Sequence, residues 1–148
     1  MNQLVNTKIT LVVPATAVGT ANITGTTLDM SGFEGVEFIL LAGTITDGVA
    51  AVKASSGAAA NGSDAQDLAG TSTSLTSAQD GDVAALDLYR PLDRYVTPVV
   101  VRGGATGGVI NGVIAIQYGA RVKPTTQDPT TVPVSKTVVS PVDRKSVV

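Results

Sequence analysis

Short apolar runs recur along the chain, broken at regular intervals by Gly, Asn, Asp and Pro. This is the pattern of strands and turns, not the 3.6-residue spacing of helices. Lys8–Val13 predicts a first strand that stops at Pro14. Thr20–Leu28 alternates loosely and is rich in Thr, as an exposed strand would be. Val36–Thr46 (VEFILLAGTIT) is the strongest apolar run and predicts a central, buried strand. Asp47-Gly48 is a hairpin turn signal. Val49–Ser55 then returns with Val49, Ala51 and Lys53 on one face. A soft loop over Gly57–Ser63 leads to a weak strand, Ala65–Leu75. Gln79–Asp82 predicts another turn, and Val83–Tyr89 alternates again. Arg94–Arg102 predicts a strand in which Pro98, lacking an N–H, must sit at an edge or a bulge. Gly103–Gly108 is a turn or flexible loop, and Val109–Tyr118 closes the body.

About eight strands at this spacing predict an all-β fold: a single β-sandwich of antiparallel strands, jelly-roll-like. The alternative is an immunoglobulin-like order, here without its Cys and Trp marks. Helix signals are thin, because Gly62 and Gly70 interrupt the alanine-rich stretches at 58–60 and 65–69.

The segment from Arg121 onward differs. It holds four of the seven prolines, at 124, 129, 133 and 141, and its Val-Pro-Val and Val-Val-Ser-Pro-Val segments are extended in character. The expected division is therefore a sandwich domain over 1–120 and an extended arm over 121–148. Such an arm orders only when something holds it, so it is expected to lie along its own body or a neighbouring subunit.

Composition sharpens this picture. Of 148 residues, 43% are hydrophobic but only 3% aromatic, so the core must be built from Val, Ile, Leu and Ala. Only 15% are charged, which leaves little repulsion against close association with neighbours. Residues 1–120 carry a balance of −5 and residues 121–148 one of +3, which together make the net −2. An acidic body with a basic tail can attract a copy of itself or another acidic surface. There is no basic and apolar leader at Met1-Asn2-Gln3-Leu4, and no apolar run approaches the roughly 18 residues of a membrane span. A soluble protein made in a cytoplasm, with no membrane contact, is expected.

Catalytic constellations are scarce. The chain has no His and no Cys, which removes His-based triads, thiol nucleophiles and the commonest metal ligands. Asp80 and Asp82 flank Gly81, with Asp64 and Asp67 near in sequence. A glycosidase would need two such carboxyls across a deep cleft, and a solvated turn is the simpler reading. Bound Ca²⁺ would need oxygen ligands at a spacing that these loops do not show. Gly103–Gly108 lacks the Lys and Ser/Thr of a phosphate loop. The Asn-X-Ser/Thr triplets at Asn22 and Asn61 carry no weight without a secretory signal. The basic tail has no aromatic residue to stack on bases, so direct nucleic-acid binding is not expected. Neither an enzyme nor a cofactor is predicted. What remains is Tyr89-Arg90-Pro91-Leu92-Asp93-Arg94-Tyr95, a turn holding two of the three Tyr and two of the ten basic residues. Tyr and Arg are the side chains most enriched at interface anchors. The same turn also reads as a tight hairpin with an internal Asp93–Arg ion pair.

Asp29-Met30-Ser31-Gly32-Phe33-Glu34-Gly35-Val36 followed by Gly43-Thr44-Ile45-Thr46-Asp47-Gly48 resembles small head proteins of tailed bacteriophages. So does the later block Asp87-Leu88-Tyr89-Arg90-Pro91, Arg94-Tyr95-Val96, Arg102-Gly103 and Ile114-Ala115-Ile116-Gln117-Tyr118-Gly119. The resemblance covers about residues 29–124. It implies a capsid decoration, or cement, protein on the exterior of an icosahedral head. Such a protein would bridge subunits of the major capsid protein, often as a dimer or trimer. Tyr89, Arg90, Arg94 and Tyr95, with Arg121 and Lys123 at the base of the arm, are then the expected interface residues. A tail or surface module that recognises host carbohydrate or another receptor is the alternative, although five aromatic residues offer few platforms for sugars.

Overall fold

The computed structural model of the chain describes residues 2–139. A turn of helix, α1 (Gln3–Asn6), precedes the strands β1 (Lys8–Val13), β2 (Thr16–Gly19), β3 (Ile23–Thr24), β4 (Leu28–Asp29), β5 (Gly35–Ile45) and β6 (Val49–Gly57). There follow β7 (Gln66–Asp67), β8 (Thr73–Thr76), β9 (Val83–Tyr89), β10 (Tyr95–Arg102) and β11 (Gly108–Tyr118), with a 3-10 turn at Ser77–Gln79.

Several of these are pieces of one strand. β1 and β2, parted at Pro14, pair with successive stretches of β11. β3 and β4 share β10 in the same way, and β7 and β8 share β6. The result is two packed antiparallel sheets of four positions each, (β1/β2)–β11–β5–β9 and (β3/β4)–β10–β6–(β7/β8). Counted as eight segments in chain order, the sheets run 1-8-3-6 and 2-7-4-5. That order is a jelly roll. Every connection crosses from one sheet to the other except β6 to β7.

This order corrects the turn at Asp47-Gly48. It joins β5 to β6 across the two sheets, so it is a corner and not a hairpin. Both sides of β5 are already occupied, by β11 and β9, which leaves no place for β6 beside it. The Asp47 carboxylate instead accepts backbone N–H bonds from Ala105, Thr106 and Gly107, at 2.6–3.2 Å. It thereby pins the glycine-rich loop before β11.

Pro98 also departs from expectation. Its strand β10 lies inside its sheet, and the ring is fully buried. It is opposite Ala54 of β6, whose N–H and C=O are engaged on the far side by Thr71 and Leu68. The missing N–H of Pro98 therefore faces the gap between β3 and β4. There Gly25 N–H donates to the Pro98 carbonyl at 2.8 Å. Sheet pairing tolerates this proline because the neighbouring strand breaks beside it. The same break reduces the expected Thr20–Leu28 strand to β3 and β4. Ala65–Leu75 likewise shrinks to β7 and β8.

The core follows the alternation of β5. Val36, Phe38, Leu40 and Ala42 point inward, against Ala50, Val52 and Ala54 of β6, Val96 and Val100 of β10, and Ile110, Val113 and Ala115 of β11. Each large side chain removed from water contributes about 1.5–3 kcal/mol. A bulge at Gly112 (φ 148°) shifts the register of β11 against β5. It adds the twist that lets the strand serve both β1 and β2.

The arm begins by running along the outer edge of β1. Gln127 Oε1 accepts Ile9 N–H at 2.8 Å, and Thr131 Oγ1 accepts Leu11 N–H at 3.1 Å. Gln127 Nε2 and Thr125 Oγ1 donate to the Thr7 carbonyl at 2.8 and 2.6 Å. Side chains thus supply what a further strand would supply, and the edge is closed. Pro141, Asp143, Arg144 and Lys145, which figured in the reading of the arm, lie outside the described residues. Among the described residues no helix is long and apolar enough to cross a membrane.

Candidate interaction surface

The β9–β10 connection, singled out in the sequence, lies at one end of the sandwich and forms one wall of a groove of about 440 Å³. The β4–β5 connection, Met30–Glu34, forms the second wall, and Arg121 just after β11 completes it. Local chemistry fixes each wall. Arg90 adopts φ 52°, unusual for a side chain other than Gly, and its N–H donates to the Glu34 carbonyl at 2.8 Å. That left-handed residue, followed by Pro91, turns the chain sharply and lifts Leu92 clear of the surface, where it is fully exposed. Gly32 at φ 86° turns the opposite wall, and its carbonyl accepts Arg121 N–H at 2.9 Å.

Arg94 does not pair with Asp93. Its Nε and Nη2 donate to the two carboxylate oxygens of Asp29 at 3.0 and 2.9 Å, a two-pronged contact between β10 and β4. The register that sets Tyr95 opposite Asp29 makes this partner nearer than the adjacent residue. The Arg94 guanidinium, helped by Ser31 N–H, holds the Asp29 carboxyl below its ordinary range against a smaller opposing effect of burial. Asp93 instead accepts the Ser56 hydroxyl at 2.6 Å and so anchors the turn to the end of β6.

Three of the six expected residues, Arg90, Arg94 and Arg121, therefore meet at one groove. Tyr89 and Tyr95 do not line it. Each stacks under its neighbouring arginine, with Arg90 centred 5.0 Å over Tyr89 and Arg94 5.2 Å over Tyr95. The rings thereby stiffen the guanidinium groups. Lys123 is exposed and stands apart from the groove. Among the described residues Arg90 and Arg121 make no ion pair, so two guanidinium groups without a carboxylate partner share the groove with an exposed Leu. The sequence reading missed Asp29 as the partner of Arg94 and Leu92 as the protruding apolar residue. An apolar residue inside an otherwise polar turn was the available signal for Leu92.

Three of the four carboxylates weighed around the Asp80-Gly81-Asp82 turn have partners within the fold. Asp64 accepts the N–H groups of Ala58 and Ala59, Asp80 accepts Ile45 N–H, and Asp67 pairs with Lys53. Among the described residues no three acidic side chains gather as metal ligands would.

No protein-family model and no curated protein matches the chain. Among solved structures it is similar to one described as PBSX exported protein XepA, at 16% identity and a TM-score of 0.54. The alignment covers 99% of this chain and 45% of that one, so the chain spans less than half the length of its neighbour. The likeness is one of fold, a β-sandwich.

Proposed function

We propose that the chain is a non-catalytic structural protein of a phage particle. In this reading it decorates the exterior of the icosahedral head and bridges subunits of the major capsid protein. The arginine groove is its contact with the shell. The observation that carries this is one groove that brings fully exposed Leu92 of the β9–β10 turn together with Arg90 of the same turn and Arg121 from beyond β11, neither arginine in an ion pair among the described residues. An apolar anchor ringed by arginines is the composition of a protein–protein hot spot. It is a poor match to a sugar site, which would present aromatic faces to the ligand. The resemblance of residues 29–124 to small head proteins of tailed bacteriophages supports a phage origin. A decorating protein works by adding buried area across subunit junctions, and many copies turn a modest affinity into large avidity.

The test is co-sedimentation of the purified chain with heads that lack it. Saturable binding that strengthens the heads against heat supports the reading. Arg90→Glu and Leu92→Ser should each weaken binding without changing the thermal unfolding of the free protein. Failure of the unaltered chain to bind heads contradicts it.

A further inference from the structure

A sandwich of two open sheets has four edges, and three of them are shielded here. The edges made by β3/β4 and β7/β8 are broken into pieces of two to four residues. On the β1/β2 edge, β1 is closed by Gln127 and Thr131, and β2 is a piece of only four residues. The fourth edge, β9, runs unbroken over Val83–Tyr89. Ala42 N–H to the Asp82 carbonyl and Arg90 N–H to the Glu34 carbonyl mark the even-numbered positions as the ones bonded to β5. By antiparallel alternation Val83, Ala85, Asp87 and Tyr89 turn their N–H and C=O groups outward. Their side chains are exposed as well.

The arm past Thr131 has the complementary character. Val134, Val138 and Val139 are 83%, 62% and 86% exposed, in a segment (Val-Ser-Lys-Thr-Val-Val) whose β-branched residues favour a strand. Its one charge, Lys136, is positive. The outer face of the sheet near β9 is negative, with Asp87 opposite Glu37 in register.

We propose that Val134–Val139 of one copy adds as an antiparallel strand to the β9 edge of a second copy. One register satisfies every requirement. Val134 falls opposite Tyr89, Lys136 opposite Asp87 and Val138 opposite Ala85. These are an aromatic–β-branched pair, an opposite-charge pair and an apolar pair on one face. The donor cannot be the chain's own arm. A strand added beyond β9 lies four spacings from β1, roughly 19 Å. Thr131 is fixed on β1, and the three residues to Val134 reach at most about 10 Å. The contact is therefore between copies; reciprocated between two it closes a dimer, and passed head-to-tail it closes into a larger ring or continues as a filament. It does not depend on the capsid reading.

The experiment is sedimentation of the full chain, with carbodiimide cross-linking of an equal mixture of ¹⁴N- and ¹⁵N-labelled protein. The expected result is a concentration-dependent oligomer and a Lys136–Asp87 cross-link joining light to heavy chains. Lys136→Asp should raise the dissociation constant roughly tenfold, and adding Asp87→Lys should restore it. Val138→Pro removes an N–H aimed at β9 and should abolish assembly. Thr137→Pro removes one aimed away and should weaken it far less. All three arm variants leave the sandwich core untouched. A monomer at about 100 µM, well above a micromolar dissociation constant, overturns the proposal. So does an oligomer indifferent to Lys136→Asp and Val138→Pro, or a Lys136–Asp87 cross-link confined to single chains.

Discussion

Arg102 offers the sharpest energetic test of the fold. It ends β10 and is only 8% exposed, yet among the described residues no carboxylate pairs with it. Its guanidinium donates instead to three backbone carbonyls: Ala21 at 2.8 Å, Ala17 at 2.8 Å and Gly108 at 3.1 Å. One side chain thus ties β2 and the β2–β3 connection to the first residue of β11. Arg102→Met keeps the length and apolar stem but leaves three carbonyls without that donor. A hydrogen bond to a charged group contributes about 1.5–3 kcal/mol, and relief from burying the charge, together with entering water, offsets part of the sum. The expected loss is about 3 kcal/mol. At this chain length that lowers the melting temperature by roughly 9 °C. Arg102→Lys, a point charge that cannot span three acceptors, should fall about midway. Urea unfolding at constant m-value measures both. A change below about 0.5 kcal/mol for Arg102→Met, the ordinary range of a surface substitution, would refute the view that this residue fastens the corner.

Other outcomes follow from the same structure. Phe38→Ala empties the centre of a core with no other fully buried aromatic, and urea unfolding should show a loss of about 3–5 kcal/mol. Gly35→Ala should destabilise through steric conflict, because a Cβ there meets the Tyr118 ring and the Leu88 carbonyl. A calorimetric scan of Gly35→Ala beside Tyr118→Phe separates that conflict from loss of the Tyr118 hydroxyl bond to Asp87. Asp29 and Asp47 have carboxyls held below the ordinary range, by Arg94 and by backbone N–H groups respectively. Their stabilisation is present above the unfolded pKa of about 3.9 and is lost as pH falls through the lower folded values. Asp47→Asn should therefore flatten the acid limb of a stability–pH curve.

Much of the fold was legible in the chain. Lys8–Val13, Val83–Tyr89 and the run beginning at Val109 match β1, β9 and β11 closely, because each is an apolar-rich run stopped by a turn residue, at Pro14, Pro91 and Gly119 respectively. The central place of the Val36–Thr46 run followed from its apolar strength. What was not legible depended on distant partners. Asp47-Gly48 has hairpin chemistry, but pairing of β5 on both sides decided its role. Pro98 is allowed inside a sheet only because Gly25–Thr27 breaks the strand beside it. Arg94 finds Asp29, 65 residues away in sequence, through the β4–β10 register. Three of the residues that line the groove were thus nameable from residue type alone, while the groove uniting them was not. The second wall comes from Met30–Glu34 and the closing arginine from beyond β11.

The most direct test of the account is electron cryo-microscopy of phage heads assembled with this chain present. The account predicts jelly-roll density on the outer shell surface, with Leu92, Arg90 and Arg121 seated against the major capsid protein at subunit junctions. Heads bare of such density, or the same sandwich found only on a tail structure, would contradict it.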